Sequence, residues 1–301
     1  MSEKLIVFCN DLLNPNKVDV DFESEYSAAI QVGFKPLLIS HEELIANDSV
    51  GSINKIVRRE VKTKAIYRGW ILTGEQYKSL YVKLLDKNIA LINSPQAYEH
   101  THYLPDAYPI IEAHTAKSIF IDLADNKLDY KHISKSLEPF GNQPIIVKDF
   151  VKSEKHYWEE ACYIPDASNI EIIKKVTDKF LELRGSYLNR GIVYRAFLSL
   201  EPLAKHAKSG MPLSKEFRAF FMAGSCIAYS PYWNGITYDD LMPAFSKLEI
   251  LSDIQSNFFT VDIAKTTDGK WLIIELGGGQ VSGIPENVDL KDFYCQLFKR
   301  V

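Results

Sequence analysis

Two β-rich runs near the C-terminus, FFTVDIA (258–264) and KWLIIELG (270–277), flank the pair Asp268-Gly269. An Asp-Gly pair between such runs is a strong hairpin signal, because both central positions of a type I′ turn need positive φ. If these two residues are the whole loop, Thr267 faces Lys270, and Asp262 falls opposite Glu275. Two carboxylates on one face of an antiparallel pair, with Cβ atoms roughly 5 Å apart, repel each other. A cation between them, Mg²⁺ carrying a phosphorylated ligand, would resolve the repulsion. Two alternatives stand beside that reading. The carboxylates could be solvated on an exposed face, or a three-residue loop with a bulge could shift the register by one and put them on opposite faces. Their apolar settings, Val-Asp-Ile and Ile-Ile-Glu-Leu, favour a partnered pair.

The 301 residues suffice for two or three packed units. A net charge of −4, from 35 basic and 39 acidic residues, gives no broad nucleic-acid footprint and no attraction to acidic membranes. No run approaches the roughly 20 apolar residues of a membrane helix, and the first apolar run, Leu5–Cys9, meets Asp11 at once. Cys9, Cys162, Cys226 and Cys295 are scattered without CxxC spacing, as in a protein of a reducing, cytoplasmic compartment.

The first hundred residues alternate strand and helix. Strands are expected at Leu5–Cys9, Pro36–Ser40, Lys64–Arg68 and Ile89–Ile92. Helices are expected at Phe22–Val32, closed by Gly33, and at Thr73–Asn88, where Thr73 and Gln76 form a capping box. Such alternation implies a parallel sheet in a small doubly wound domain. Asn93–Pro109, rich in Pro, Tyr and His, reads as a linker. Beyond it the pattern turns α+β. Helices are expected over Asp129–Phe140, Ile170–Arg184 and Leu290–Lys299. Strands are expected over Pro144–Phe150, Ala161–Ile164, Gly191–Leu200, Lys215–Phe221 and Ser225–Ser230, the last two paired across Ala223-Gly224.

Lys148 ends the strand PIIVKD, and the loop after it adds Lys152, Ser153, Lys155 and His156. An ammonium at a strand end followed by such a loop attracts anions, although strand-end lysines are commonly solvated and the loop lacks the glycines of a P-loop. Arg195 interrupts an apolar strand, and Glu216 and Arg218 share one strand face; each arginine suits either phosphate oxygens or a structural carboxylate. Arg68 sits at the end of the third parallel strand, where open α/β sheets collect ligands, and there it could bind a substrate carboxylate or phosphate or stand as an exposed arginine.

The order of these pieces resembles the ATP-grasp superfamily. The runs VKDFVKSEKHYWEEACYIP, GIVYRAFLSLEPL, EFRAFF, SPYW and VDIAKTTDGKWLIIELGGGQVSGIPE are similar to a divergent bacterial and phage branch of it. The same clade contains a eukaryotic assembly chaperone for a translation initiation factor. The resemblance implies an N-terminal Rossmann-like pre-ATP-grasp domain (1–108), a small ATP-grasp lobe (109–195) and a large lobe with the metal-binding hairpin (196–301), the lobes built on antiparallel sheets. It implies ATP and Mg²⁺ as cofactors. Lys117, Lys148, Lys152 and Ser153 would contact the nucleotide, the backbone of Ala196, Phe197 and Leu198 would read adenine, and Glu201 would sit near the ribose. Arg195 and Arg218 would act on the transferring phosphoryl group, and Asp262 and Glu275 would hold the metal; Arg68 and His156, read from their own places in the chain, are the candidates to meet substrate. Superfamily members make an acyl phosphate from a carboxylate and ATP, which an amine or another nucleophile then attacks. The acceptor would be a small molecule, a peptide or a protein.

One departure accompanies the resemblance. The superfamily places Asn two residues after the metal Glu, with an acidic residue expected just beyond; here Gly277 and Gly278 stand there, which leaves either Gln280 as a substitute ligand or a weakly held second metal. The leading expectation is an ATP-dependent ligase. A nucleotide-binding assembly factor that ligates nothing, or a phosphotransferase, are the alternatives.

Overall fold

The computed structural model describes residues 3–123, 128–205, 211–233 and 249–301. The chain divides into two compact units, each assembled from separate pieces. One comprises Met1–Thr101, Phe217–Val261 and Leu276–Val301; the other comprises His102–Glu216 and Asp262–Glu275.

In the first unit, strands β1 (Leu5–Cys9), β2 (Lys35–Ile39), β3 (Thr63–Tyr67) and β4 (Ile89–Leu91) form a parallel sheet in the order β2-β1-β3-β4. Every residue of β1 is buried, as a parallel strand covered on both faces requires. Helices α1 (Glu23–Gln31), α2 (His41–Ile45) and α3 (Gly74–Asp86) connect these strands. The expected capping box is present: Thr73 Oγ1 accepts from Gln76 N, and Gln76 Oε1 accepts from Thr73 N at 2.9 Å. Gly33 closes α1 with φ +106°.

The segment expected to be a linker is helical. It forms α4 (Pro95–His102) and α5 (Leu104–Ile111). Proline misleads here because Pro95 and Pro105 stand at or next to a first helical position, where their missing N–H costs nothing. The tyrosines are anchors: Tyr98, Tyr103 and Tyr108 are all buried.

The second unit is built on β5 (Ser118–Ile121), β6 (Ile145–Asp149), β7 (Tyr163–Ile164) and β8 (Ile192–Ala196), in the order β5-β8-β6-β7. All its pairings are antiparallel. Helices α6 (Tyr130–Leu137) and α8 (Ile170–Arg184) contribute Ile133, Leu137, Ile173, Val176 and Phe180 to one core with Ile145, Val147, Ile192 and Tyr194. Short helix α7 (Trp158–Ala161) occupies the start of what reads in sequence as a strand. A two-stranded ribbon, β9 (Pro202–Lys205) with β10 (Pro212–Ser214), follows β8.

The remaining strands are β11 (Glu216–Met222), β12 (Ser225–Pro231), β13 (Phe258–Lys265) and β14 (Trp271–Gly278), in the order β12-β11-β13-β14, with α9 (Leu290–Arg300) closing the chain. Ala223 (φ +50°) and Gly224 (φ +74°) make the turn between β11 and β12, as expected. Among the described residues no helix is long and apolar enough to cross a membrane.

Candidate functional site

The turn between β13 and β14 has three residues, not two. Thr266 N donates to Lys270 O (2.8 Å), Gly269 N donates to Thr266 O (2.9 Å), and Gly269 has φ +85°. This is a type I turn closed by a glycine bulge. Thr266 therefore faces Lys270, and counting from this end Asp262 opposes Ile274. The far end counts differently, because Gly279 N donates to Phe258 O. From there Asp262 opposes Glu275. Ile273 and Leu276 are both buried although three residues apart, so the alternation of β14 slips between them. Between these two ends β14 therefore carries one residue more than β13, a slip that compensates along the strand for the longer turn.

Asp262 is 4% exposed on β13, whereas the Glu275 side chain is 44% exposed. Both carboxylates act on a third, Glu216 at the start of β11. Burial pushes the Glu216 carboxyl up to about 7; Ser214 Oγ, donating to it at 2.6 Å, and Lys155 oppose that rise, while Asp262 and Glu275 add to it. Among the described residues no group of three or more His, Cys, Asp or Glu side chains could hold a metal ion. Two carboxylates suit Mg²⁺ all the same, since this ion keeps several waters and takes substrate phosphates as ligands.

Lys148, 7% exposed on β6, places Nζ 3.5 Å from Glu275 Oε1. The residue beside it holds the following loop. Asp149 is fully buried; its Oδ1 accepts from Val151 N (2.7 Å) and Lys152 N, and its Oδ2 accepts from Arg184 Nε, Asn189 N and Asn189 Nδ2, each at 3.1 Å. Arg184 also bonds Glu154 within the loop (3.1 Å). Lys152 and His156 are exposed, and Ser153 is half-buried. Asp149, Arg184 and Glu154 are absent from the residues expected from sequence. The signal that would find them is an aspartate following the strand-end lysine at the start of a glycine-free loop.

Arg195 is 5% exposed on β8. Its Nη1 donates to Ile274 O (2.7 Å), and its Nη2 donates to Thr115 Oγ1 (2.6 Å) and Ile273 O (3.3 Å). Burial lowers its pKa to about 10, with Glu275 pulling it back up. The guanidinium thus grips the backbone of β14 just before Glu275. At the end of β8, Ala196 N and Phe197 N donate to Lys117 O (2.9 Å) and Pro144 O (3.0 Å). Phe197 packs edge-on to Tyr163 (5.2 Å), which stacks on Trp158 (5.6 Å). Glu201 bridges Lys215 (2.6 Å) and Lys265 (3.2 Å). Lys117 is exposed, and its Nζ donates to Pro139 O (3.0 Å).

Two arginines lie in the other unit. Arg68, expected to meet substrate, is 1% exposed and bound entirely within the fold. Its Nε and Nη2 clasp Glu25 at 2.7–2.9 Å, and its Nη1 donates to Gly279 O (2.6 Å) and Ser282 O (2.9 Å). That is the geometry of a structural arginine: the carboxylate of α1 reaches it before any ligand can. Arg218 donates from Nη1 to Gly283 O (3.2 Å) and stacks over Tyr232 (4.7 Å). In the same unit, a Cβ on Gly277 would stand 2.7 Å from Thr260 Oγ1 and 2.9 Å from Ser282 Oγ, two hydroxyls bonded to each other at 3.0 Å. The asparagine of the superfamily pattern would have to displace this hydroxyl pair. Gln280 is buried.

A family described as an ATP-grasp domain, family 3 of its clade, matches residues 139–297. No curated protein matches the sequence. Among solved structures, D-cycloserine synthetase DcsG superposes with a TM-score of 0.61 at 12% identity, covering 98% of this chain and 99% of its own. The ATP-grasp ligase PsnB, complexed with minimal precursor, Mg and ADP, gives 0.57 at 11% identity, with 99% and 97% covered. A RimK domain ATP-grasp protein from Sphaerobacter thermophilus gives 0.59 at 10% identity, with 99% of each chain covered. At such identities these likenesses speak for the fold alone.

Proposed function

Because the chain belongs to this ATP-grasp domain family, we propose that it is an ATP- and Mg²⁺-dependent ligase, one that activates a carboxylate as an acyl phosphate for attack by an amine or another nucleophile. The observation that carries the reading is the 3.5 Å approach of Lys148 Nζ to Glu275 Oε1, with Asp262 and Glu275 both bearing on Glu216. It puts a cation suited to phosphate beside carboxylates suited to a metal. Bound Mg²⁺ would offset the charge that builds on phosphoryl oxygens.

The chain's own groups divide that work. Asp262 and Glu275 hold the metal. Lys148, with Lys152 and Ser153 from its loop, meets phosphate oxygens. Arg195 fixes the Ile273–Ile274 backbone and so aims Glu275. A base at the β8 end would lie against the ring of Phe197 and meet the Leu198 N–H or hinge carbonyls, since the N–H groups of Ala196 and Phe197 are committed to the sheet. Glu201 would meet the ribose from its two-lysine bridge, and Lys117 would complete the nucleotide contacts; Arg218 keeps the phosphoryl role that the resemblance implies. His156, exposed on the loop, is assigned to the acceptor. The acceptor class is a carboxylate on a peptide or small molecule; the precursor-bound PsnB complex makes the peptide worth testing first. Four free cysteines support a cytoplasmic setting; burial pushes Cys9 up to about 11 and Cys162 up to about 12, so both stay as thiols.

The test is product analysis with ATP, Mg²⁺ and paired carboxylates and amines. ADP and phosphate are expected; AMP and pyrophosphate would refute acyl-phosphate chemistry. Lys148→Ala should abolish turnover. A second reading, a nucleotide-binding assembly factor without ligase activity, draws on Gly277, which offers no side-chain ligand where the superfamily has asparagine. Stoichiometric capture of a protein partner with ATP bound but not consumed would favour it.

A further inference from the structure

We propose that Asp149 is the positioning residue that folds the loop carrying Lys152 and Ser153 onto the nucleotide, a task that glycine-rich backbone performs in phosphate loops of other kinds. The proposal rests on the functional reading above and adds a residue to it. Phosphate-cradling loops owe their shape to glycines, which allow backbone N–H groups to converge. The segment Val151–Trp158 contains no glycine. Something else must hold it.

The structure assigns that task to one carboxylate. Asp149 is fully buried and receives hydrogen bonds from Val151 N, Lys152 N, Arg184 Nε, Asn189 N and Asn189 Nδ2. Its own N–H donates to Lys152 O at 2.9 Å, so the chain reverses tightly between Asp149 and Lys152. One carboxylate oxygen folds the loop, and the other ties it to the C-terminal end of α8 and to the turn before β8. Arg184 extends the tie by reaching Glu154 at 3.1 Å. Five donors converge on two oxygens, which a carboxylate accepts and a carboxamide cannot: an asparagine would turn an NH₂ toward N–H groups on one side or the other. Lys148, directly before Asp149 on β6, shares this anchor, so the spacing between Lys148 and Lys152 is set by the same group.

The experiment compares wild type with Asp149→Asn and Glu154→Gln, using two readouts. Trypsin cleavage after Lys152 and Lys155 reports loop order without any nucleotide. Binding of a fluorescent ATP analogue reports the consequence. Asp149→Asn should speed cleavage after these lysines and weaken nucleotide binding, each about tenfold, as expected for losing charge-assisted bonds at a buried site. Glu154→Gln should do both to a smaller degree with folding intact, which keeps the proposal open to refutation if Asp149→Asn does not fold. In a double-mutant cycle, Lys152→Ala should weaken binding in wild type and have little effect in the Asp149→Asn background. Unchanged cleavage in both variants overturns the proposal whatever the nucleotide result. Faster cleavage with unaltered nucleotide affinity, or additive effects of Asp149→Asn and Lys152→Ala, removes the loop's role in binding. A wild type that binds no nucleotide refutes the functional reading instead, while the cleavage assay still judges Asp149.

Discussion

Five hydrogen bonds leave the guanidinium of Arg68, and they end on Glu25, Gly279 and Ser282. Tyr294 OH adds a further donor to Glu25 at 2.5 Å. Arg68→Ala strands the Glu25 carboxylate, and a loss of ~3–5 kcal/mol is expected, read as a fall in the denaturant midpoint. A variant of wild-type stability with a raised KM for substrate would return Arg68 to the ligand. His102 gives a pH signature. Burial first, then Lys152 and Arg190, depress its pKa to about 3. Between pH 6.5 and about 3 the unfolded chain takes up a proton that the folded chain refuses, so stability falls as pH falls through this window. His102→Asn should flatten the dependence of the urea midpoint between about pH 6.5 and 4.5; an unchanged slope would show that other groups set it. Gly277→Ala should cost ~1–3 kcal/mol, because its Cβ would displace the Thr260–Ser282 pair. A variant with an undiminished melting temperature would mean that the hydroxyls yield freely.

At the scale of elements, the turn into β14 separates what a sequence displays from what it conceals. Asp268-Gly269 announces a hairpin, but the same pair serves a two-residue type I′ turn and a three-residue turn with a glycine bulge. The Thr266 hydroxyl decides between them: its Oγ1 accepts from Lys270 N (3.0 Å) and also contacts Asp268. With Gly269 at φ +85°, Gly269→Ala should cost about 1 kcal/mol, detectable as a lowered melting temperature; no loss would deny the bulge geometry. The compensating slip in β14 was hidden, since Leu-Ile-Ile-Glu-Leu shows no alternation from which to read a face. Helix ends were far more legible. Asn169, Asp129 and Asp289 each cap the helix that follows, and Ile170–Arg184 has the ends expected from sequence. The helices of 95–111 were concealed because their prolines read as breakers, although Tyr98, Tyr103 and Tyr108 are buried.

For the molecule as a whole, βα alternation made the parallel sheet of the first unit readable in advance, because each strand must be covered on both faces. The division of the chain was not readable. Each unit draws on distant stretches, and the change from one to the other falls inside α4, β11, β13 and β14, where neighbouring residues look alike in sequence. In the candidate site, Lys148, Asp262 and Glu275 stand out in the sequence by their chemistry, and the structure brings Lys148 beside Glu275. Residues were illegible where the role is to hold another group, as with Asp149 and Thr115. Whether Lys148, Asp262 and Glu275 form one site for ATP with Mg²⁺ is tested by equilibrium binding of ATP titrated against Mg²⁺, for wild type and for Asp262→Asn combined with Glu275→Gln. Mg²⁺ should tighten ATP binding to wild type, and the double variant should lose this dependence. A double variant in which Mg²⁺ tightens ATP binding as it does in wild type would refute the shared site.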